Sequence, residues 1–295
     1  MSDWLSRSML DSAQYELLDF GRGRKLERFG GIIVNRPSPA AESAACSQPQ
    51  LWQTADASYQ RAGGERGVWQ YRSDSPERWS IRLGQLMLEL RLTEAGQVGL
   101  FPEQSDNWRW IAEQVRGSTE PTARRILNLF AYTGASTLAA AAAGAQVVHV
   151  DAARTSVAWA RRNAELSGLA DLPIRWIVED VRKFVQRELK RGNRYDAVIL
   201  DPPTYGHGPR GEAWKFDEHL PALLAACGEL LAEQGQFLLL TCHAPGVEPR
   251  DLEVLLRDAG ALPRSAHFDA GDLTIATRTG RQLSSGVSAR IGWRE

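Results

Sequence analysis

The chain has 295 residues, of which 43% are apolar and 24% charged, with a formal net charge of −1. These are ordinary globular proportions, enough for one large domain or two modest ones, and the near-neutral balance excludes a global field that would draw the chain to nucleic acid or anionic lipid, leaving only a local patch for that purpose. Three cysteines, Cys46, Cys227 and Cys242, have neither metal-ligand spacing nor the density of a disulfide scaffold, so a reducing, cytoplasmic setting is expected.

The opening stretch, MSDWLSRSMLDSAQYELLDF, lacks the continuous apolar segment of a secretory signal, and no later apolar run reaches membrane-spanning length. Through residue 115 the chain is rich in Arg, Trp and Gly. Short alternating runs at 30–35 (GGIIVN), 67–72 (GVWQYR), 79–84 (WSIRLG) and 86–92 (LMLELRL) predict a small antiparallel β-unit. Residues 36–50, RPSPAAESAACSQPQ, read as an extended linker, and 101–115 as a turn followed by an amphipathic helix. GSTEPT at 117–122 marks a boundary, dividing an N-terminal subdomain (1–115) from a larger domain (116–295). From Arg124 onward strands and helices alternate. Strands are predicted at 125–130, 146–150, 174–178, 195–200 and 236–241. Helices are predicted at 135–143, 153–166, 181–191, 217–232 and 249–259, with closing strands near 262–268 and 287–293. Such alternation implies right-handed crossovers and a Rossmann-like, doubly wound α/β fold with a mostly parallel sheet.

In an open parallel sheet, ligands bind outside the carboxyl ends of the strands. Here those ends carry Asp151 (VVHVD), Asp180 (IRWIVED), Asp201 (YDAVILD) and, in ILNLFAYTGAS, a turn at Gly134. A dinucleotide turn wants three glycines so that backbone can approach a pyrophosphate. One glycine, with Tyr132 where a small residue is needed, suits a zwitterionic tail better than a diphosphate. Gly134 also reads equally well as a plain strand-to-helix turn. Asp151, 23 residues after Asn128, is placed to accept both hydrogen bonds of a ribose diol, and Asp180 to accept from an adenine amino group with Val181 packed on the ring. Each of these two also reads as a helix N-cap. In Asp201-Pro202-Pro203-Thr204-Tyr205 two prolines hold the backbone extended and remove two donors, leaving carbonyls, a carboxylate and a tyrosine placed to stack on a planar substrate.

These segments, NLFAYTG, HVDAA, VEDVRKF and DPPTYG, resemble the class I S-adenosylmethionine-dependent methyltransferases over roughly residues 100 to 295. FAYTG, the Asp-Pro-Pro turn and FPEQSDNW resemble more narrowly the large-subunit ribosomal RNA methyltransferase group, which includes 5-methylcytosine enzymes. The resemblance implies a seven-stranded sheet and S-adenosyl-L-methionine as cofactor. It places Tyr132, Thr133 and Gly134 beside the methionine part, Asp151 at the ribose and Asp180 at the adenine, with Asn128, Phe130, Ala152 and Val181 among the cofactor-binding residues. Pro102, Gln104 and Asn107 would close over the cofactor, and Asp201, Pro202 and Tyr205 would face the methyl acceptor. The first 95 residues do not resemble the RNA-binding PUA module of the 5-methylcytosine members.

Those members add a cysteine thiolate to carbon-6 of the pyrimidine, which activates carbon-5. Cys242, in Thr241-Cys242-His243-Ala244, is the candidate nucleophile, with His243 as a group that could lower the thiol pKa; a small buried residue is the competing reading. Without it, Asp201 and Tyr205 would hold an amine or ring nitrogen for direct transfer. The segment 181–194 carries six basic residues that read as a solvated helix face or a modest RNA patch, and 207–216 reads as a lid or a mobile loop. The expected acceptor is a base in ribosomal RNA. A small-molecule or protein acceptor is the first rival, an NAD-dependent oxidoreductase the second and a non-catalytic nucleoside-binding module the third. A homodimer stays open.

Overall fold

The computed structural model describes residues 11–63, 66–72, 76–117, 123–233, 237–259 and 266–293. The chain forms two compact units, Met1–Asp106 with Thr274–Ser285, and Asn107–Leu273 with Gly286–Glu295.

The first unit is built on a five-stranded sheet of β1 (Tyr15–Gly21), β2 (Arg24–Phe29), β3 (Ile32–Pro37), β4 (Ala57–Gly63) and β5 (Arg66–Tyr71), in that spatial order. A separate hairpin joins β6 (Arg78–Leu83) and β7 (Leu86–Arg91). The expected all-antiparallel unit is corrected in one place, because β3 and β4 run parallel. Parallel neighbours need a long return connection, and residues 38–56 provide it. That segment is not an extended linker. It contains 3-10 turns at Pro39–Ala41 and Pro49–Thr54, and it wraps Asp19, whose carboxylate accepts from the Ser47 hydroxyl (2.8 Å), the Gln48 amide (2.9 Å) and the Trp52 indole (2.9 Å). The carboxylate of Glu27 on β2 is likewise buried, accepting from Tyr15 (2.9 Å) and Arg36 (2.6 Å) with Lys25 at 3.3 Å. Burial alone would raise its pKa, but Arg36 and Lys25 hold it at about 2.

The second unit carries a seven-stranded sheet. It contains β8 (Arg125–Leu129), β9 (Gln146–Asp151), β10 (Ile174–Val178), β11 (Ala197–Leu200), β14 (Phe237–Cys242), β15 (His267–Ala276) and β16 (Gln282–Gly292). A small hairpin of β12 (Tyr205–His207) and β13 (Ala213–Lys215) stands apart from it. The helices are α1 (Ser105–Arg116), α2 (Ala135–Ala142), α3 (Arg154–Leu166), α4 (Val181–Lys190), α5 (Phe216–Leu230) and α6 (Pro249–Asp258). Strand order is β10-β9-β8-β11-β14-β16-β15, with β10 to β14 parallel and β16 antiparallel to β14. This is the doubly wound, mostly parallel sheet expected from the alternation, and no residue of β11 or β14 is exposed, as helices on both faces require. The predicted strand near 262–268 begins at His267 instead, and residues 260–265 lie outside the described residues.

Two consequences position the candidate site. Across β8 the chain direction of travel reverses, with β9 on one side and β11 on the other, which makes the β8/β11 junction the topological switch point. The parallel strands are also in register, Leu129 beside both Val150 and Leu200, and Leu200 beside Leu240. The residues that follow, Phe130, Asp151, Asp201 and Thr241, therefore share one rim.

Candidate functional site

The turn after β8 is conformationally demanding. Phe130 (φ 54°), Tyr132 (φ 48°) and Gly134 (φ 89°) all lie in the left-handed region, the first two without glycine's freedom. Such backbone costs about 1–3 kcal/mol per residue and gathers at ligand sites. Gly134 has a packing reason too, because a β-carbon there would lie 2.9 Å from the β-carbon of Ala160 on α3. The strand-to-helix turn and its packing on α3 therefore account for that glycine. Thr133 is buried, and its carbonyl accepts from Asn163 at 2.9 Å. Phe130 packs on Trp214 with ring centroids 4.8 Å apart, and Tyr132 lies 6.3 Å from the ring of Trp159.

Asp151 holds this turn. One carboxylate oxygen accepts the Tyr132 amide and the other the Ala153 amide, each at 2.8 Å. The N-cap of α3 is Ala153, so Asp151 is not the helix cap that the sequence alone allows. Each oxygen has a second lone pair, which fits the two hydroxyls of a ribose, and Ala152 sits beside it, half-buried. Burial raises the Asp151 pKa, and the two amide bonds oppose that shift. Asp180, by contrast, is an N-cap. Its carboxylate accepts the amides of Arg182 (3.0 Å) and Lys183 (3.2 Å) and pairs with the Arg182 guanidinium at 3.0 Å. Val181 is buried next to it.

Asn128 does not face the rim. Its amide donates to Thr137 at 2.9 Å, and Thr137 bonds Nδ1 of His149 at 2.9 Å, so a buried relay runs beneath the glycine turn. Nε2 of His149 is buried without a hydrogen-bond partner. Burial, with the charge of Arg161, drives the imidazole pKa down to about 3. Sequence reasoning passed over this relay, although a lone histidine inside the strand VVHVD was its signal. Gln104 and Asn107 belong to different units; both are buried, and Oδ1 of Asn107 accepts from the Arg290 guanidinium at 2.8 Å.

At the end of β11, Asp201 is gripped by β14. Its Oδ1 accepts from the Thr241 hydroxyl at 2.5 Å and lies 3.4 Å from Nε2 of His243. Burial raises this carboxyl pKa, but the His243 charge and the hydrogen bonds from His243 and Thr241 outweigh it, leaving the group below its usual range. Pro202 is buried. The Pro203 carbonyl accepts from the Trp214 indole at 2.6 Å, and the Thr204 carbonyl from the Phe216 amide at 3.0 Å. Tyr205 keeps 50% exposure, with its hydroxyl 3.1 Å from Nε2 of His207. The segment 207–216 is thus a hairpin arm with Trp214 buried in the core, and not the loose loop that its glycines suggest.

The expected pairing of His243 with Cys242 is corrected by this geometry. Cys242 turns into the core, accepts the Ala244 amide at 3.3 Å, and has its thiol pKa raised by burial and by Asp201 and Asp217. Three basic residues of α4, and Arg191 just after it, are also engaged. Arg182 pairs with Asp180, Lys183 with Glu212, Arg187 with Glu179 and Arg191 with Glu188. Most of the positive charge on that helix is thus met by nearby carboxylates. Among the described residues, no group of three His, Cys, Asp or Glu could hold a metal ion, and no helix is long and apolar enough to cross a membrane.

A family model for S-adenosylmethionine-dependent methyltransferases matches residues 58–269. The chain is 32% identical over 157 residues to ribosomal RNA large subunit methyltransferase I of Aeromonas salmonicida, a match covering 50% of this chain and 35% of that protein. It is 32% identical over 154 residues to ribosomal RNA large subunit methyltransferase K/L of Shewanella baltica, covering 51% of this chain and 20% of that protein. The match thus spans well under half of either curated relative. Over nearly the whole chain it resembles the crystal structure of an S-adenosylmethionine-dependent methyltransferase from Agrobacterium tumefaciens. That structure has a TM-score of 0.88 and 36% identity, and 95% of this chain and 90% of that one are covered. The match sets the oxidoreductase reading aside, in agreement with the single glycine of the β8 turn. The chain belongs to the S-adenosylmethionine-dependent methyltransferase family, and S-adenosylmethionine is its cofactor.

Proposed function

We propose that the enzyme methylates a base in ribosomal RNA by direct transfer, with the acceptor seated on Asp201-Pro202-Pro203-Thr204-Tyr205. The observation that carries this reading is the half-exposed Tyr205 ring, tethered beside Asp201 at the switch-point rim by the Pro203–Trp214 bond. A planar ring on a rigid arm is a stacking platform for a base. The names of the two curated relatives support RNA as the acceptor class.

The bound cofactor supplies an electrophilic methyl group on a sulfonium sulfur. The β8 turn at Phe130, Tyr132, Thr133 and Gly134 borders its methionine part, Asp151 and Ala152 take the ribose diol, and Asp180 and Val181 border the adenine. Asn107, at the start of α1, completes the binding set within the second unit. Tyr205 stacks on the acceptor, Asp201 accepts a hydrogen bond from it, and Pro202 keeps that carboxylate on a backbone without local freedom. Holding the two reactants in line is the main source of rate in such a transfer. The buried Cys242 thiol has no part in this route, because thiolate addition needs a depressed pKa and an open approach.

A small-molecule acceptor is the second reading, favoured by the ion pairs of Arg182, Lys183 and Arg187, which leave those three side chains less to offer a phosphate backbone. Labelled methyl transfer from S-adenosylmethionine into a lysate of cells lacking the protein, fractionated into RNA, protein and small molecules, separates the two. Label in ribosomal RNA supports the proposal, whereas label confined to small molecules transfers it to the second reading.

A further inference from the structure

We infer that Thr137 and His149 are positioning residues for the cofactor, clasping from beneath the turn that takes its methionine part. The inference rests on the proposed place of that turn beside the methionine tail. All the residues concerned lie within the second unit. Asn128 on β8 and His149 on β9 are partners in the parallel register, so their side chains leave the sheet on one face. From α2, Thr137 reaches both of them. The Asn128 amide donates to Oγ1 of Thr137 at 2.9 Å, which leaves the Thr137 hydroxyl proton for Nδ1 of His149, also at 2.9 Å. One hydroxyl thereby joins three segments close to the residues that form the rim. Asn128 stands two residues before Phe130, His149 two before Asp151, and Thr137 three after Gly134. The imidazole also abuts the turn itself, since a β-carbon at Gly134 would lie 3.7 Å from its Cε1.

Two physical arguments tie this clasp to the cofactor. The first is strain. Phe130 and Tyr132 hold left-handed backbone without being glycine, and such conformations persist only where the surroundings over-determine them. Asp151 holds the Tyr132 amide, Asn163 on α3 holds the Thr133 carbonyl, and the Thr137 hydroxyl fixes the strand and helix roots between those two points. The second is cost. Asn128, Thr137 and His149 are all buried, and Nε2 of His149 has no hydrogen-bond partner among the described residues. Apolar side chains of similar shape would fill this layer without desolvating polar groups. What a hydrogen-bonded clasp adds is a fixed distance and direction. Burial, with the charge of Arg161, keeps the imidazole neutral, so Nδ1 remains an acceptor and the clasp holds one arrangement. The seat for the amino-acid tail is then formed in advance, and binding is spared the ordering of the turn.

The test is a binding comparison that needs no turnover. S-adenosylhomocysteine and methylthioadenosine share the adenosine and a neutral sulfur, and differ in the amino-acid tail. In Thr137→Val, calorimetric affinity for S-adenosylhomocysteine falls about tenfold, the effect of a lost hydrogen bond whose partners stay buried. Affinity for methylthioadenosine stays within about twofold of the parent, because the adenosine seat is untouched. Thr137→Ser keeps the hydroxyl and restores the parent values for both ligands. If Thr137→Val does not fold, His149→Phe is measured in its place, since it keeps Asn128 bonded to Thr137 and frees only β9. Parent affinity for both ligands, in a variant whose circular dichroism matches the parent, overturns the inference and leaves the place of the turn standing. An equal loss for both ligands shows that the turn does not border the methionine tail, and that reading falls together with the inference. A Thr137→Ser protein as weak as Thr137→Val also overturns it, because the hydroxyl would then have no part in the effect.

Discussion

Cys242 and His243 are adjacent in sequence yet face different surroundings, the thiol among core side chains and the imidazole against Asp201. Sequence alone joined them, because strand-end residues at i and i+1 are close along the chain. Alternation in a strand sends neighbouring side chains to opposite faces, and here that separation decides the chemistry. Cys242→Ala is expected to keep kcat/KM within about threefold of the parent; a loss of about 10²-fold or more would restore covalent catalysis to the account. Tyr205→Ala is expected to cost about 1–3 kcal/mol of acceptor binding, the usual worth of base–aromatic stacking, read as a raised KM with cofactor affinity unchanged. Asp151 was legible as a strand-end carboxylate, but its hold on the turn after β8 was not. Tying the Tyr132 and Ala153 amides is a tertiary fact with no local signature.

At the scale of elements, β8, β11 and β14 were readable because parallel, doubly covered strands are nearly unbroken apolar runs. Strands β1 and β2 were not. RKLERF alternates charges that look solvated, and only the fold reveals that Glu27 sits between Arg36 and Lys25. The hairpin β12–β13 was taken for a loop since its strands are three residues long and flanked by Gly and Pro. The relay between β8, α2 and β9 has a measurable signature. His149 stays neutral in the folded protein down to about pH 3, whereas in the unfolded chain it takes up a proton near its ordinary value of 6.5. Below pH 6.5 the unfolded state therefore binds the extra proton, and stability falls as pH falls. The slope from this residue approaches about 1.4 kcal/mol per pH unit until the folded-state value is reached. Denaturant titrations of His149→Gln are expected to lose that component; an unchanged slope between pH 6 and about 4 would remove His149 as its source.

For the whole molecule, the composition shift led to an expected first subdomain of residues 1–115, whereas the first unit holds Met1–Asp106 together with Thr274–Ser285. The tip of the β15–β16 hairpin bridges to β1 through Thr277 and Leu17. Arg281 there donates to Asp19 (2.7 Å) and to the carbonyl of Ala45 (2.7 Å), and lies 4.2 Å over the Phe20 ring. No sequence pattern links residues more than 250 apart. Burial would raise the Asp19 carboxyl pKa, yet the bonds from Trp52, Gln48 and Ser47 bring it down to about 2. That contribution to stability is present above the ordinary carboxylate range and is lost as pH falls through about 2. Arg281→Met is expected to destabilise the first unit by about 2 kcal/mol, the scale of hydrogen bonds to a charged group, measured as a lowered melting temperature. An unaltered melting temperature would show that the hairpin tip adds nothing there.

The central claim is that Asp201 serves the methyl acceptor and not the cofactor. It is tested most directly by measuring S-adenosylmethionine affinity and methyl transfer side by side in Asp201→Asn. Affinity within about twofold of the parent, with transfer reduced by about 10²-fold or more, is the predicted result. Parent-level transfer, or loss of cofactor binding in a folded variant, would contradict it.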